Sequence, residues 1–167
     1  MTPDDLERAI QFGERFSSLS ERAHATHDLA ALGAAAVPVL GAIFSGAARN
    51  RFGVAYRDTG QPLLCSFATA GLLGTLARDL EPYLRVGVQS GHVYAVDAIA
   101  RIGPISGDSI QALAQCLREE TLIATEAAAA LKACGELSNP IVAAVVASNA
   151  AAARVVERAS SCRPRGR

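Results

Sequence analysis

The sequence has no tryptophan and few other aromatic residues. Aromatic residues make up only 5% of the 167 positions, whereas half of the positions are hydrophobic. The core must therefore be built mainly from alanine, leucine, valine and isoleucine. Small side chains of this kind let helices approach one another closely, which suits stacked helices better than a deep ligand cavity.

An excess of charge of one sign is also missing. The chain has 16 basic and 16 acidic residues. This balance argues against a general attraction to nucleic acid or to an anionic membrane, and leaves room only for a local basic patch.

Neither a targeting segment nor a long apolar run is visible. The chain opens with the acidic and polar sequence MTPDDLERA, unlike a secretory signal. No run of about 18 uninterrupted apolar residues occurs, as a transmembrane helix would need; the nearest, 141–153, contains Ser148 and Asn149. We expect a cytoplasmic protein without membrane contact.

The four cysteines form no CxxC pair. Cys65, Cys116, Cys134 and Cys162 are widely spaced, which is typical of reduced thiols rather than of a zinc site or a disulfide framework. We expect neither a bound metal nor a cofactor.

Standard catalytic motifs are missing as well: the sequence contains no GxSxG, P-loop, GxGxxG or HExxH. His24 and His27 share a helical face beside Asp28, but no further ligands are recognisable near them, so we interpret them as exposed polar residues. Asp97 lies in an apolar helix with Arg101 four residues later, the spacing of an ordinary salt bridge.

What the sequence does contain is a short recurring pattern that ends in glycine. The segments LAALG, AGLLG, IARIG and LKACG end at Gly33, Gly74, Gly103 and Gly135, spaced 41, 29 and 32 residues apart. Eight residues before each glycine stands a small residue, in turn Ala25, Ser66, Ala95 and Ala127. Apolar residues at steps of three and four predict a helix before each glycine, and glycine can end it with a positive φ.

The same reasoning places the remaining helices. We predict helices over 3–19, 20–32, 34–45, 62–73, from 79–81 to the break at 90–91, 92–103, 120–134, from 140 onward, and 150–159. After a turn and cap at 106–108, a further helix carries the apolar stripe Ile110, Leu113 and Leu117. A period near 30 residues made of two short helices is typical of an α-solenoid, in which stacking buries the face that one helix pair leaves open.

These residues resemble the HEAT-repeat family, specifically the short bacterial HEAT-like repeats related to those of phycobilisome lyases. The resemblance covers about residues 20–160 and rests on the glycine-ended first helix and a proline-led second helix, with Pro38 and Pro140 each five residues after a glycine. It implies an all-α solenoid, a superhelix of about four helix pairs with extra end helices. We expect one domain over 1–160 and a disordered basic tail over 161–167. The Asp and Val-Arg pair that often begins such repeats is missing here.

Two surfaces are predicted to bind a partner. Residues 46–61 lack helical periodicity, contain three glycines and account for the longer first spacing; insertions between repeats often lie on the binding face. This loop combines arginine with aromatic residues, the types enriched at interface hot spots: Arg49, Arg51, Phe52, Tyr56 and Arg57. The second surface is the groove lined by the second helices, as the family resemblance implies, with Arg78, Arg85, Gln111, Gln115 and Arg118.

The sequence therefore predicts a non-enzymatic protein-interaction module that binds a protein partner along the groove and the loop. Two alternatives stay open. One is a small HEAT-like lyase, isomerase or biosynthetic enzyme acting on a hydrophobic small molecule, with Asp97, Tyr94 or Tyr83 as acid–base groups. The other is nucleic-acid binding through the loop and groove arginines. Because the C-terminal helices carry few charges, residues 141–156 are also expected to pack on another copy or on a partner.

Overall fold

The computed structural model describes residues 2–161 and is all-helical, as predicted. Within that range it contains ten α-helices and three 3₁₀ segments, and the β-structure is limited to one isolated bridge between Arg49 and Ala55. The helices are α1 Pro3–Ser17, α2 Arg22–Ala31, α3 Ala36–Ser45, α4 Gly60–Leu73, α5 Glu81–Gln89, α6 Val93–Arg101, α7 Gly107–Cys116, α8 Leu122–Ala133, α9 Pro140–Ser148 and α10 Ala150–Ser161. The 3₁₀ segments are Gly33–Ala35, Tyr56–Asp58 and Gly74–Leu80. Apart from Ser161, the tail expected to be disordered lies outside the described residues.

Glycine ends the helices where the recurring pattern predicted. Gly33, Gly74, Gly103 and Gly135 all have positive φ, between 56° and 98°. Residues with a Cβ rarely adopt this conformation, so each glycine lets the chain turn without strain. The prediction of a helix before each of the four glycines is confirmed.

Helix beginnings follow familiar chemistry, with small differences from the predicted bounds. Thr2 forms a capping box with Asp5 at the start of α1, and Asn139 caps α9. The helix predicted to begin at residue 20 begins two residues later, since α2 starts at Arg22 after Glu21, which makes no side-chain cap bond.

The predicted loop 46–61 is two residues shorter in the structure. Gly60 and Gln61 already belong to the first turn of α4. Pro62 fits there because the N–H groups of a first turn have no partner within the helix.

The helices pack in chain order as two layers. In one layer, α2, α4, α6, α8 and α10 contact one another successively. In the other, α1 contacts α3, α3 contacts the 3₁₀ segment Gly74–Leu80 that leads into α5, and α5, α7 and α9 follow. The layers face each other across one core that runs from Ala9 to Val155 and consists mainly of alanine, leucine, valine and isoleucine.

One helical stretch, Gly60–Gln89, is long and apolar enough to cross a membrane, and the bent pair Arg22–Ala31 and Gly33–Ser45 passes the same test. The core helix of a soluble protein passes it too, and 44% of the most apolar window of Gly60–Gln89 is buried inside the molecule. This is weak evidence for a span, and the expected lack of membrane contact stays a prediction.

Candidate functional site

A groove lies between α5, α7 and the start of α8, and four of the ten predicted site residues line it. Arg85 comes from α5, Gln111 and Gln115 from α7, and Arg118 from the turn after α7. We call this surface the polar groove; its volume is about 740 Å³. Its other lining residues are Val88, Gln89, Gly91, Asp108, Ala112, Cys116, Glu119, Thr121 and Ile123.

The amphipathic pattern of α7 points its glutamines outward. Ile110 and Leu113 are buried in the core, whereas Gln111 and Gln115 are exposed on the opposite face. Residues four apart are neighbours on a helix surface, so the two amides form a short row along the groove. Each amide offers donors and an acceptor.

Charge in the polar groove is balanced. The Arg85 guanidinium lies 3.2 Å from the Asp108 carboxylate, and the exposed Arg118 is followed by the exposed Glu119. The groove residues therefore present both signs of charge.

Glu81 fixes the geometry of this region from the first turn of α5. Its Oε1 accepts hydrogen bonds from the Ser106 backbone N–H at 2.8 Å and the Ser106 hydroxyl at 2.6 Å. Burial raises the pKa of Glu81, but hydrogen bonds from Ser106 and Ser109 and the charge of Arg85 outweigh burial, so the pKa is lowered. The start of α5 is thereby tied to the N-cap of α7.

A second cleft lies on the other side of α5. We call it the aromatic cleft; it has a volume of about 460 Å³ and opens to solvent. Phe44 stacks between Phe67 and Tyr83, with ring centroids 5.2 and 5.7 Å apart. His92 lies against the Phe67 ring at 5.5 Å. The remaining lining residues are Arg57, Asp58, Leu63, Val86, Gly87 and Ser90.

Gly87 allows the floor of the aromatic cleft to form. A Cβ at this position would lie 2.5 Å from Phe67 Cζ and 2.7 Å from the Ala95 Cβ. The lack of a side chain therefore lets α5 approach both α4 and α6 closely.

The base of the loop is fixed to the body of the protein. Tyr56 is 1% exposed, and its hydroxyl donates a hydrogen bond to Glu14 Oε1 at 2.7 Å. Arg57 donates to the Ser45 carbonyl at 2.8 Å, and Arg49 donates to the Gly53 carbonyl at 2.8 Å. Tyr56 was predicted to contact a partner, and the structure corrects this, because its side chain is buried in the protein itself.

Within the loop, the tip formed by residues 51–54 projects two large apolar side chains into solvent. Phe52 is 75% exposed and Val54 43% exposed, and the Arg51 guanidinium lies 4.8 Å from the centre of the Phe52 ring. The Asn50 side chain holds the tip by accepting hydrogen bonds from the backbone N–H groups of Phe52 and Val54.

Arg78 is separated from the other predicted groove residues. It is exposed on the 3₁₀ segment Gly74–Leu80 and lines neither the polar groove nor the aromatic cleft. Sequence reasoning also missed Phe44, Phe67 and His92, which meet only because α3, α4 and the residue before α6 come together.

The residues considered for catalysis do not meet in one site. Asp97 forms a salt bridge with Arg101 at 3.0 Å, as its spacing predicted. Tyr94 is half exposed, and of the three candidates only Tyr83 lines the aromatic cleft. Asp28 pairs with Arg15, and residues 2–161 contain no cluster of three histidine, cysteine, aspartate or glutamate residues placed to hold a metal.

The described cysteines are free thiols. Cys65, Cys116 and Cys134 are each half-buried, and burial raises the pKa of all three. A raised pKa keeps a thiol protonated and unreactive at neutral pH. Cys162 lies outside the described residues.

No protein-family model, no curated protein and no solved structure matches this chain.

Proposed function

We propose that this chain is an α-solenoid of HEAT-like helix pairs that binds a protein partner through the polar groove. The packing of successive helices in chain order as two layers supports the solenoid. The convergence of Arg85, Gln111, Gln115 and Arg118 on one groove supports the binding surface, and this convergence carries the proposal.

The chemistry of the polar groove suits a polypeptide. Gln111 and Gln115 have exposed amides that can both donate to and accept from a peptide backbone. The mixed charges of Arg85, Asp108, Arg118 and Glu119 select for a partner with charges of both signs rather than for a polyanion.

A pull-down with matched glutamine variants tests this proposal. The immobilised wild-type protein is exposed to an extract of its source cell, beside Gln111→Ala/Gln115→Ala and the control Gln11→Ala/Gln61→Ala. The control changes two exposed glutamines outside the groove. We expect wild type and control to retain the same protein. The groove variant should bind the purified partner at least tenfold more weakly by calorimetry, which corresponds to about 1.4 kcal/mol. Equal retention by all three forms would contradict the proposal.

The enzymatic alternative has little support from geometry, since Tyr83, Tyr94 and Asp97 share no pocket.

The nucleic-acid alternative depends on whether the arginines of the loop and the groove are free to contact phosphate. Arg85 is paired with Asp108, and Arg57 Nε lies 3.6 Å from Asp58 Oδ1. Because phosphate contacts strengthen steeply as salt is lowered, we expect no gel shift of a 20-base-pair duplex even at ~50 mM salt. A shift abolished by added salt would favour the nucleic-acid alternative instead.

A further inference from the structure

The chain carries an exposed apolar projection and an open apolar cleft, and neither is occupied within one copy. The projection is the loop tip, where the Phe52 side chain is 75% exposed with Val54 beside it. The cleft is the aromatic cleft, whose floor is formed by Phe44 and Phe67 and whose wall is formed by Tyr83 and Val86. Val86 is itself 58% exposed, so apolar surface faces water on both features.

One charged residue on each feature has the opposite sign to one on the other, although Arg57 also lies on the rim of the cleft. At the loop tip, the Arg51 guanidinium lies against the face of the Phe52 ring. The rim of the cleft brings Asp58, whose side chain is 62% exposed and whose Oδ1 faces Arg57. Because the Asp58 side chain is mostly exposed to solvent, its carboxylate can accept a second guanidinium, that of Arg51 from another copy, when Phe52 enters the cleft.

The short distance between the loop tip and the rim of the cleft favours a two-fold arrangement. Phe52 is five residues from Arg57, which lines the cleft, so their Cα atoms are at most ~17 Å apart. A projection and a cleft this close together can both be used when two copies meet about a two-fold axis, because each tip then faces the cleft of the other copy.

We propose that this protein forms a two-fold dimer in which Phe52 of each copy inserts into the aromatic cleft of the other. This contact is separate from the polar groove, which is left free for a different partner. It also differs from the predicted association through residues 141–156. Among the described residues, the large exposed hydrophobic side chains extend no further along the chain than Leu122. Two inserted side chains form a small interface, so the dimer is reversible and depends on concentration.

Sedimentation velocity over a concentration series tests the dimer. The variant Phe52→Ser removes the projection, and Val86→Glu places a charge in the cleft; both positions are exposed, so the fold is retained, as helical circular dichroism checks. Leu122→Ser is the matched control, an exposed apolar residue far along the chain at 68% exposure. We expect wild type and control to approach twice the monomer mass as concentration rises, and both test variants to need at least tenfold higher concentration.

Mixing the two test variants makes the experiment specific. The Val86→Glu chain keeps its projection and the Phe52→Ser chain keeps its cleft, so the mixture regains one of the two contacts. We expect it to associate at a lower concentration than either variant alone. Monomeric wild type up to ~1 mM, or a dimer unaffected by both substitutions, would overturn the proposal. Growth of wild type beyond a dimer would overturn the two-fold arrangement.

Discussion

At the scale of single residues, glycines and one buried tyrosine decide how closely the helices approach. Gly87 is buried where Phe67 and Ala95 lie too near for a Cβ. Gly41, within α3, has only Leu80 at 3.9 Å from the position of a Cβ. The two glycines therefore differ in surroundings while sharing a helical backbone.

Replacement of these glycines by alanine should have opposite effects. Gly87→Ala gains helix propensity, but overpacking against Phe67 costs ~1–3 kcal/mol, so we expect a net loss of stability. Gly41→Ala is the control, and we expect it to raise stability by ~0.5–1 kcal/mol because alanine restricts the unfolded chain. Urea unfolding followed by circular dichroism measures both. If the two variants unfolded at the same urea concentration, this would contradict the close packing of Gly87 against Phe67 and Ala95.

The buried hydroxyl of Tyr56 gives a second prediction. Tyr56→Phe removes the hydrogen bond to Glu14, and we expect a loss of ~1–2 kcal/mol, since the acceptor is charged but can rehydrate. Tyr94→Phe, at an exposed position, should leave the free energy of unfolding unchanged.

The pKa of Tyr56 makes this effect depend on pH. Burial raises the pKa of its phenol, and the hydrogen bond to Glu14 raises it further. A group whose pKa is raised on folding stabilises the protein fully below its ordinary pKa of 10.0 and loses that contribution as pH rises toward the folded pKa. We expect wild type to lose stability above pH ~10 more steeply than Tyr56→Phe. Thermal melts of both proteins from pH 8 to 11 measure this, and parallel curves would contradict it.

At the scale of helices, the start of α5 is linked to the start of α7. Ser106 caps α7 by accepting from the Ser109 backbone N–H, and it donates twice to Glu81. Thr121 caps α8 in the same way, by accepting from the Ala124 backbone N–H, but it does not contact Glu81. The Ser106 cap therefore also links α7 to α5, whereas the Thr121 cap does not.

A comparison of the stability lost on removing each cap measures the contribution of the link between Ser106 and Glu81. We expect Thr121→Ala to cost ~1 kcal/mol, as for an ordinary cap. Ser106→Ala should cost more, because it also removes a hydroxyl donor from Glu81. Introducing Glu81→Ala, which removes the acceptor, should bring the cost of Ser106→Ala back toward that of Thr121→Ala. Equal costs for both caps in the wild-type background would count against a link through Glu81.

The link between Ser106 and Glu81 also predicts that the stability of the protein depends on pH in the acidic range. The pKa of Glu81 is lowered from its ordinary value of 4.5, so its contribution is present above that pH and is lost as pH falls through the folded pKa. Between pH 5 and 3, wild type should therefore lose stability more steeply than Glu81→Gln. Chemical unfolding at half-unit steps of pH measures the difference.

At the scale of the whole molecule, each helix contacts its neighbours in the stack, so local stability should follow position. α6 packs between α4, α5 and α8, whereas α10 packs against α8 and α9. Amide hydrogen exchange should be slowest in α6 and fastest in α1 and α10, because end elements open without disturbing the middle. Uniform protection along the chain would indicate one indivisible cooperative unit instead.

Much of the helical framework follows from the sequence because its causes are local. Proline at Pro3, Pro82 and Pro140 and glycine at the four pattern ends restrict the backbone at their own positions. Apolar spacing likewise predicts the buried face of a helix such as α6, where Val96 and Ile99 are indeed buried. Bounds differed by one or two residues, as at the start of α2, which was predicted at residue 20 and lies at Arg22.

The sequence by itself determined an all-α chain, its helix boundaries to within about two residues and the alanine-rich make-up of its core, since φ preferences and helical periodicity act within a few residues. Only the tertiary structure decided which side chains meet. Tyr56 bonds to Glu14 across 42 positions, and the aromatic cleft gathers residues from Phe44 to His92. Contacts over such separations depend on how whole helices pack, and no local pattern encodes that packing.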